Sequence, residues 1–108
     1  MVRIAFASED SKGLDSEVSA RFGRAKYFII VDVENGEIKQ IRAVENPGGV
    51  QASGAGIKAV QKLVDEKVQV AVAGAFGPNA LSALEELGIK HAEISGIPLK
   101  DAIEKVQA

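Results

Sequence analysis

The chain has 108 residues, 46% of them hydrophobic and 26% charged, which suits one domain with a core of its own. Thirteen Lys and Arg against fifteen Asp and Glu leave a formal charge of -2, so no overall positive field favours nucleic acid or an anionic membrane. With no cysteine there is no disulfide, no thiolate metal ligand and no cysteine nucleophile, which removes the commonest way a small protein holds an iron–sulfur centre.

Met1-Val2-Arg3-Ile4 leads directly into a short apolar run, Val2 to Ala7, that reads as a buried strand. It lacks the ordered regions of a signal peptide, and no apolar stretch approaches the ~20 residues that span a bilayer, so the cytoplasm is the expected compartment. Ser8 to Gly13 is polar loop. Tyr27 to Val33, aromatic and β-branched, predicts a second strand. Glu34-Asn35-Gly36 predicts a tight turn, and Glu37 to Val44 returns as a third, more polar strand whose Glu37, Lys39, Gln40 and Arg42 suit a sheet edge. The period then becomes helical: Gly56, Ala59, Val60, Leu63 and Val64 share one face. Val68 to Ala73 reads as a central parallel strand covered on both sides. Gly77-Pro78 opens a second helix with a stripe of Leu81, Leu84 and Leu87, capped by Gly88. Ile89 to Ser95 predicts the last strand. Pro98 starts a final helix with Leu99, Ala102, Ile103 and Val106 inward.

No repeat or linker interrupts residues 1–108, which read as a single α/β domain. The first three strands should form an antiparallel meander, and the later ones arrive by right-handed helical crossovers. The expected result is a three-layer α/β/α arrangement. Its mixed five-stranded sheet has the order 3-2-1-4-5, with strand 2 antiparallel. Two helices share one face and the C-terminal helix covers the other.

Strands 1, 3, 4 and 5 then point the same way. The loops Ser8 to Ala25, Glu45 to Gln51, Gly74 to Pro78 and Ser95 to Pro98 gather at one end. Connections diverging from strands 1 and 4 leave a crevice there, the usual ligand position in open α/β sheets. Gly48, Gly49, Gly54, Gly56, Gly74, Gly77 and Gly96 cluster at that end. Glycine admits close backbone approach to a ligand, and it equally makes tight turns and caps. Helix N-termini add partial positive charge, and Arg21 and Arg24 add permanent charge. An anionic ligand of small or medium size is the natural expectation.

Two segments resemble a known family. Arg21-Phe22-Gly23-Arg24-Ala25, running into the Tyr27 strand, resembles the "HFGRA" motif of the dinitrogenase iron–molybdenum-cofactor accessory proteins. Gly74-Ala75-Phe76-Gly77-Pro78-Asn79-Ala80 is similar to that family's Gly-x-x-Gly-x-x-Ala turn. The Gly54-x-Gly56 helix entrance and the Leu87-Gly88-Ile89 junction match as well. The resemblance implies a ribonuclease H-like fold and a non-enzymatic carrier or scaffold that binds iron–molybdenum cofactor or another metal–sulfur cluster, with a donor or acceptor protein as partner. Where the motif often has histidine, this chain has Arg21. A guanidinium stays protonated and cannot ligate a metal, but it can pair with an anionic cofactor.

The expected cofactor-binding residues are therefore Arg21, Phe22, Gly23, Arg24, Gly48, Gly49, Gly74, Gly77 and Asn79, with no catalytic or metal-ligating residue among them. Asn79 would bond the ligand or cap neighbouring backbone; Phe22 and Phe76 would wall the crevice or pack in the core. His91, the only histidine, is expected at the far end of the sheet from the glycine-rich loops, as a structural residue. Glu9, Asp10 and Asp15 lie where a ribonuclease H-type nuclease needs carboxylates, yet only Glu45 joins them from the other strand ends, and a solvated acidic loop is the better reading. Gly54-Ala55-Gly56 lacks the third glycine of a dinucleotide fingerprint. The alternative to the carrier is a metal-free module for a phosphate-bearing small molecule or a protein partner, using the same crevice.

Overall fold

The computed structural model describes residues 1–50 and 54–107. Five strands form one sheet: β1 (Val2–Ser8), β2 (Tyr27–Glu34), β3 (Glu37–Glu45), β4 (Val70–Ala73) and β5 (Lys90–Glu93). Their order is β3-β2-β1-β4-β5. β2 runs antiparallel to both its neighbours, whereas β1, β4 and β5 are mutually parallel. Three helices complete the fold, α1 (Ala55–Asp65), α2 (Pro78–Leu87) and α3 (Leu99–Gln107). None of the described helices is long and apolar enough to cross a membrane.

Local chemistry accounts for the connections. Asn35 and Gly36 have φ of 53° and 78°, the pair of left-handed residues that a two-residue hairpin turn needs between β2 and β3. Val33 then faces Ile38 while Asp32 faces Gln40, so the extra residue Lys39 bulges from β3 at the sheet edge. α1 ends where Lys67 turns to φ 60°, and Lys67 and Val68 donate back to Val64 O and Leu63 O. Gly88, at φ 72°, ends α2 in the same way.

The alternation of each strand divides the core in two. Ala5, Ala7, Phe28, Ile30, Ala71 and Ala73 face α1 and α2, where they meet Ala59, Val60, Leu63, Ala80 and Leu84. Ile4, Phe6, Ile29, Val31 and Val72 face α3, where they meet Leu99, Ala102 and Ile103. Small residues in β1 and β4 on the first face let two helices seat closely. Gly56 of α1 has only 3.1 Å between a built Cβ and the Ala80 Cβ of α2.

Three expectations are corrected. The strand expected over 68–73 is shorter, β4 beginning at Val70, where it pairs with Ile4 of β1. The strand expected over 89–95 spans only Lys90–Glu93. The α2 stripe is carried by Ala80 and Leu84, with Leu81 and Ala83 packed beside them. Leu87, the last residue of α2, is 54% exposed.

At the end of the sheet opposite the glycine-rich loops, Arg3 spans β1 and β2 to Asp32. Its Nε and Nη2 donate to the two carboxylate oxygens at 2.7 and 3.1 Å, and its Nη1 donates to Glu66 O at 2.8 Å. Asp32 is buried, and the Arg3 guanidinium holds its carboxyl below the usual carboxylate range. Glu66, at the C-cap of α1, is also lowered, chiefly by its hydrogen bond from Arg42 and further by Lys62.

Candidate functional site

The expected crevice between the ends of β1 and β4 is filled by the chain itself. Residues 18–22 wedge into it. Ser8 bridges Val18 and Arg21 bridges Ala75. Ser19 N donates to Ala7 O at 2.7 Å, Gly74 N to Ser19 O at 2.9 Å, and Phe22 N to Ala75 O at 3.0 Å. These bonds satisfy strand-end groups that would otherwise need water or a ligand. The 95–98 connection is tied down by the same segment, through Val18 N to Ile97 O and Gly96 N to Val18 O.

Displaced from the switch point, a pocket of about 440 Å³ opens on the α1/α2 side. It is lined by three segments, 21–24, 54–57 and 75–80. The first brings Arg21 and Arg24, both exposed, and the buried Phe22. Among the described residues, no carboxylate forms an ion pair with Arg21. The second and third are the N-terminal turns of α1 and α2. Among the described residues neither helix has a side-chain cap: Gly54 and Gly77 occupy the N-cap positions. The first-turn N–H groups of a helix have no intrahelical acceptor. Here those of Ala55, Gly56, Ile57, Asn79 and Ala80 belong to residues lining one pocket. Two uncapped helix dipoles and two guanidinium groups make it an electropositive concavity on a chain of net charge -2.

The opposite character comes from the aromatic wall. Phe22 packs against Phe28 of β2 at 5.3 Å between centroids and against Phe76 at 4.9 Å. Phe22 and Phe76 are thus both pocket wall and core, the two roles left open by the sequence.

Asn46, which the sequence reading did not single out, shapes the rim. Its side chain is buried, and its Nδ2 donates to Phe22 O at 3.2 Å and Ala25 O at 2.9 Å. Its Oδ1 accepts from Gly48 N at 2.9 Å. One amide thereby holds the 22–25 turn to the segment that leads to α1. The only sequence signal was an Asn-Pro pair after a strand, a turn signature.

Of the nine expected site residues, six line the pocket: Arg21, Phe22, Gly23, Arg24, Gly77 and Asn79. Gly48, Gly49 and Gly74 do not. A Cβ on Gly48 would lie 2.2 Å from Ala55 O, one on Gly49 2.7 Å from Ala25 O, and one on Gly74 2.8 Å from Ala20 Cα. At each of them the missing side chain lets neighbouring chain approach closely, and Gly49 lines a separate cavity beside Asn46 and Pro47. Gln51, at the end of one expected loop, lies outside the described residues.

The acidic loop is internally stapled. Glu9 accepts from Ser19 Oγ at 2.7 Å, and Asp10 accepts from Ser16 Oγ and Lys12 N, bonds that lower its carboxyl below the ordinary range. Asp15 pairs with Lys100 at 3.6 Å. Among the described residues, no three His, Cys, Asp or Glu converge as a metal group would require. His91 departs from expectation. Its ring meets Phe76 edge-on at 5.2 Å, and on β5 it stands beside Ala71, on the side of the sheet that α1 and α2 cover.

Comparison with known proteins agrees with this architecture. The apo form of the orange protein from Desulfovibrio gigas superposes with a TM-score of 0.87 at 35% identity, covering 99% of this chain and 88% of that one. A Thermotoga protein described as a candidate NifB gives 0.78 at 39% identity, again over 99% and 88%. An uncharacterized protein of Methanocaldococcus jannaschii is 33% identical over 75 residues, which is 69% of this chain and 64% of that relative's length. The family model described as dinitrogenase iron-molybdenum cofactor matches residues 1–108, and the chain belongs to that family.

Proposed function

We propose that the protein is a non-enzymatic carrier or scaffold, and that its cargo is an anionic iron–molybdenum or other metal–sulfur cluster held in the pocket between the 21–24 turn and the N-termini of α1 and α2. The observation that carries this reading is the convergence of two uncapped helix N-termini on one pocket with two arginines. Family membership and the likeness to an apo-form protein support it. The donor chemistry is specific about the mode of holding. The chain has no thiolate, and no imidazole lines the pocket, so Arg21, Arg24 and the first-turn N–H groups bind cargo by charge and hydrogen bonds. Phe22 and Phe76 exclude water from the inner side, which strengthens those bonds. Asn79 supplies its first-turn N–H and a neutral side chain at the rim. Gly23 lets the 21–24 turn come close to the first turn of α1, and Gly77, where a Cβ would meet nothing, leaves its side of the rim open. Handing cargo to an acceptor protein requires no bond to a protein ligand to break.

The lack of thiolate and imidazole donors favours one second reading, a metal-free module for a phosphate-bearing small molecule in the same pocket. Anaerobic reconstitution with iron, molybdate and sulfide, followed by metal analysis and a visible spectrum, separates the two. The carrier takes up metal stoichiometrically with a charge-transfer band, and replacing Arg21 and Arg24 by alanine weakens uptake more than tenfold. Absent uptake, with a thermal shift in phosphate compounds instead, transfers the pocket to the second reading. Uptake indifferent to both arginines would refute the site.

A further inference from the structure

His91 lies outside the pocket lining, and the carrier reading leaves it without a role. It is exposed on β5, the outer edge strand, and among the described residues its imidazole has no ion-pair partner. Its one strong contact is the edge-on approach to Phe76 at 5.2 Å. Phe76 is the pocket's aromatic wall and is 9% exposed. It follows Ala75, bridged to Arg21, and stands two residues before the first residue of α2, so its backbone belongs to the loop while its ring must be held from the sides.

The inner side is rigid. Phe22 is 1% exposed and rests in turn on Phe28 of β2. Three phenylalanines thus run from the sheet to the pocket in series, at 5.3 and 4.9 Å between neighbours. The outer side is closed by His91 alone among the described aromatic residues. An edge-to-face pair contributes beyond its buried area, and losing the outer ring removes that contact from the outer side of Phe76 while its packing in the core cluster remains.

We propose that His91 is a positioning residue for the pocket: its imidazole clamps the Phe76 ring against Phe22 and so sets the aromatic wall against which cargo rests. The binding half of this proposal rests on the carrier reading; the clamp half does not. Imidazole suits the place because an exposed ring needs a polar side for water and an apolar face for its neighbour.

The test uses His91→Ala and His91→Phe in the full chain, with the Phe76 ring followed by NMR without any ligand. His91→Ala is expected to speed Phe76 ring flips at least fivefold and move its ring proton shifts, while His91→Phe restores both. Because His91 is exposed, the melting temperatures of all three proteins should agree within a few degrees, which separates clamping from a general loss of fold. Unchanged Phe76 flips and shifts in His91→Ala would overturn the clamp. Binding is then measured with molybdate as the probe. His91→Ala is expected to weaken it at least threefold with recovery in His91→Phe, and equal affinity overturns the binding half. If the unmutated protein does not bind molybdate or take up metal on reconstitution, the carrier reading has failed, and the ring measurements still decide the clamp.

Discussion

Replacing Asn46 by alanine tests how the pocket rim is held. The substitution removes one donor group and one acceptor, and three buried main-chain groups lose their partner: Phe22 O, Ala25 O and Gly48 N. A buried polar group left unsatisfied costs about 1–3 kcal/mol. The alanine cavity is small, so the lower end of that range applies to each group, and the sum is about 3 kcal/mol. For a chain of this size such a loss lowers Tm by roughly 12 °C or more. Urea unfolding followed by far-UV circular dichroism reads it directly. Asn46→Asp sharpens the test. Its carboxylate still accepts from Gly48 N but turns a negative oxygen towards two carbonyls. The folded state therefore raises its pKa, and the penalty is full above that value and recedes as pH falls through it, once a proton restores the donor. The deficit relative to the unmutated protein should shrink between pH 7 and about 4.5. An Asn46→Ala cost below about 1 kcal/mol, or an Asn46→Asp deficit constant over that interval, would refute the argument.

Three other predictions concern the scaffold. Lys67 takes φ 60° at the end of α1, where glycine has no steric cost, so Lys67→Gly should stabilise by about 0.5–1 kcal/mol in the same urea assay; a loss would show that the lysine stem contributes more than the backbone strain. Asp32 and Glu66 both have lowered folded-state pKa values, so their stabilisation is complete above the ordinary carboxylate value near ~4 and disappears as pH falls through the lower folded ones. Asp32→Asn should cost about 1–3 kcal/mol at pH 7 and flatten the decline below pH ~4; a decline parallel to that of the unmutated protein would remove Asp32 from the explanation. Gly74→Ala places a Cβ 2.6 Å from Ser95 Oγ and 2.8 Å from Ala20 Cα, so the wedge of residues 18–22 must shift, at about 1–3 kcal/mol, with faster amide exchange at Phe22; unchanged exchange there would count against the wedge.

The sheet follows from local signals in the sequence. Period-two runs, the Asn35-Gly36 turn and helical stripes between apolar strands are local signals, and with the handedness of crossovers they leave one plausible order, 3-2-1-4-5. The two arginines, Phe22, Gly23, Gly77 and Asn79 were also legible, because loops leaving parallel strands must share one end of the sheet. Where, at that end, a ligand could enter depends on long-range packing. Residues 18–22 bond to Ala7, Gly74 and Ala75 and close the switch point. No periodicity marks that segment, since its bonds join residues far apart in the chain. The same holds for Asn46, whose Nδ2 acceptors lie more than twenty residues upstream, and for His91, whose ring meets Phe76 in the loop before α2. Gly48, Gly49 and Gly74 follow from the same cause. A glycine's letter is identical whether its missing side chain admits a ligand or a neighbouring backbone, and only packing tells which.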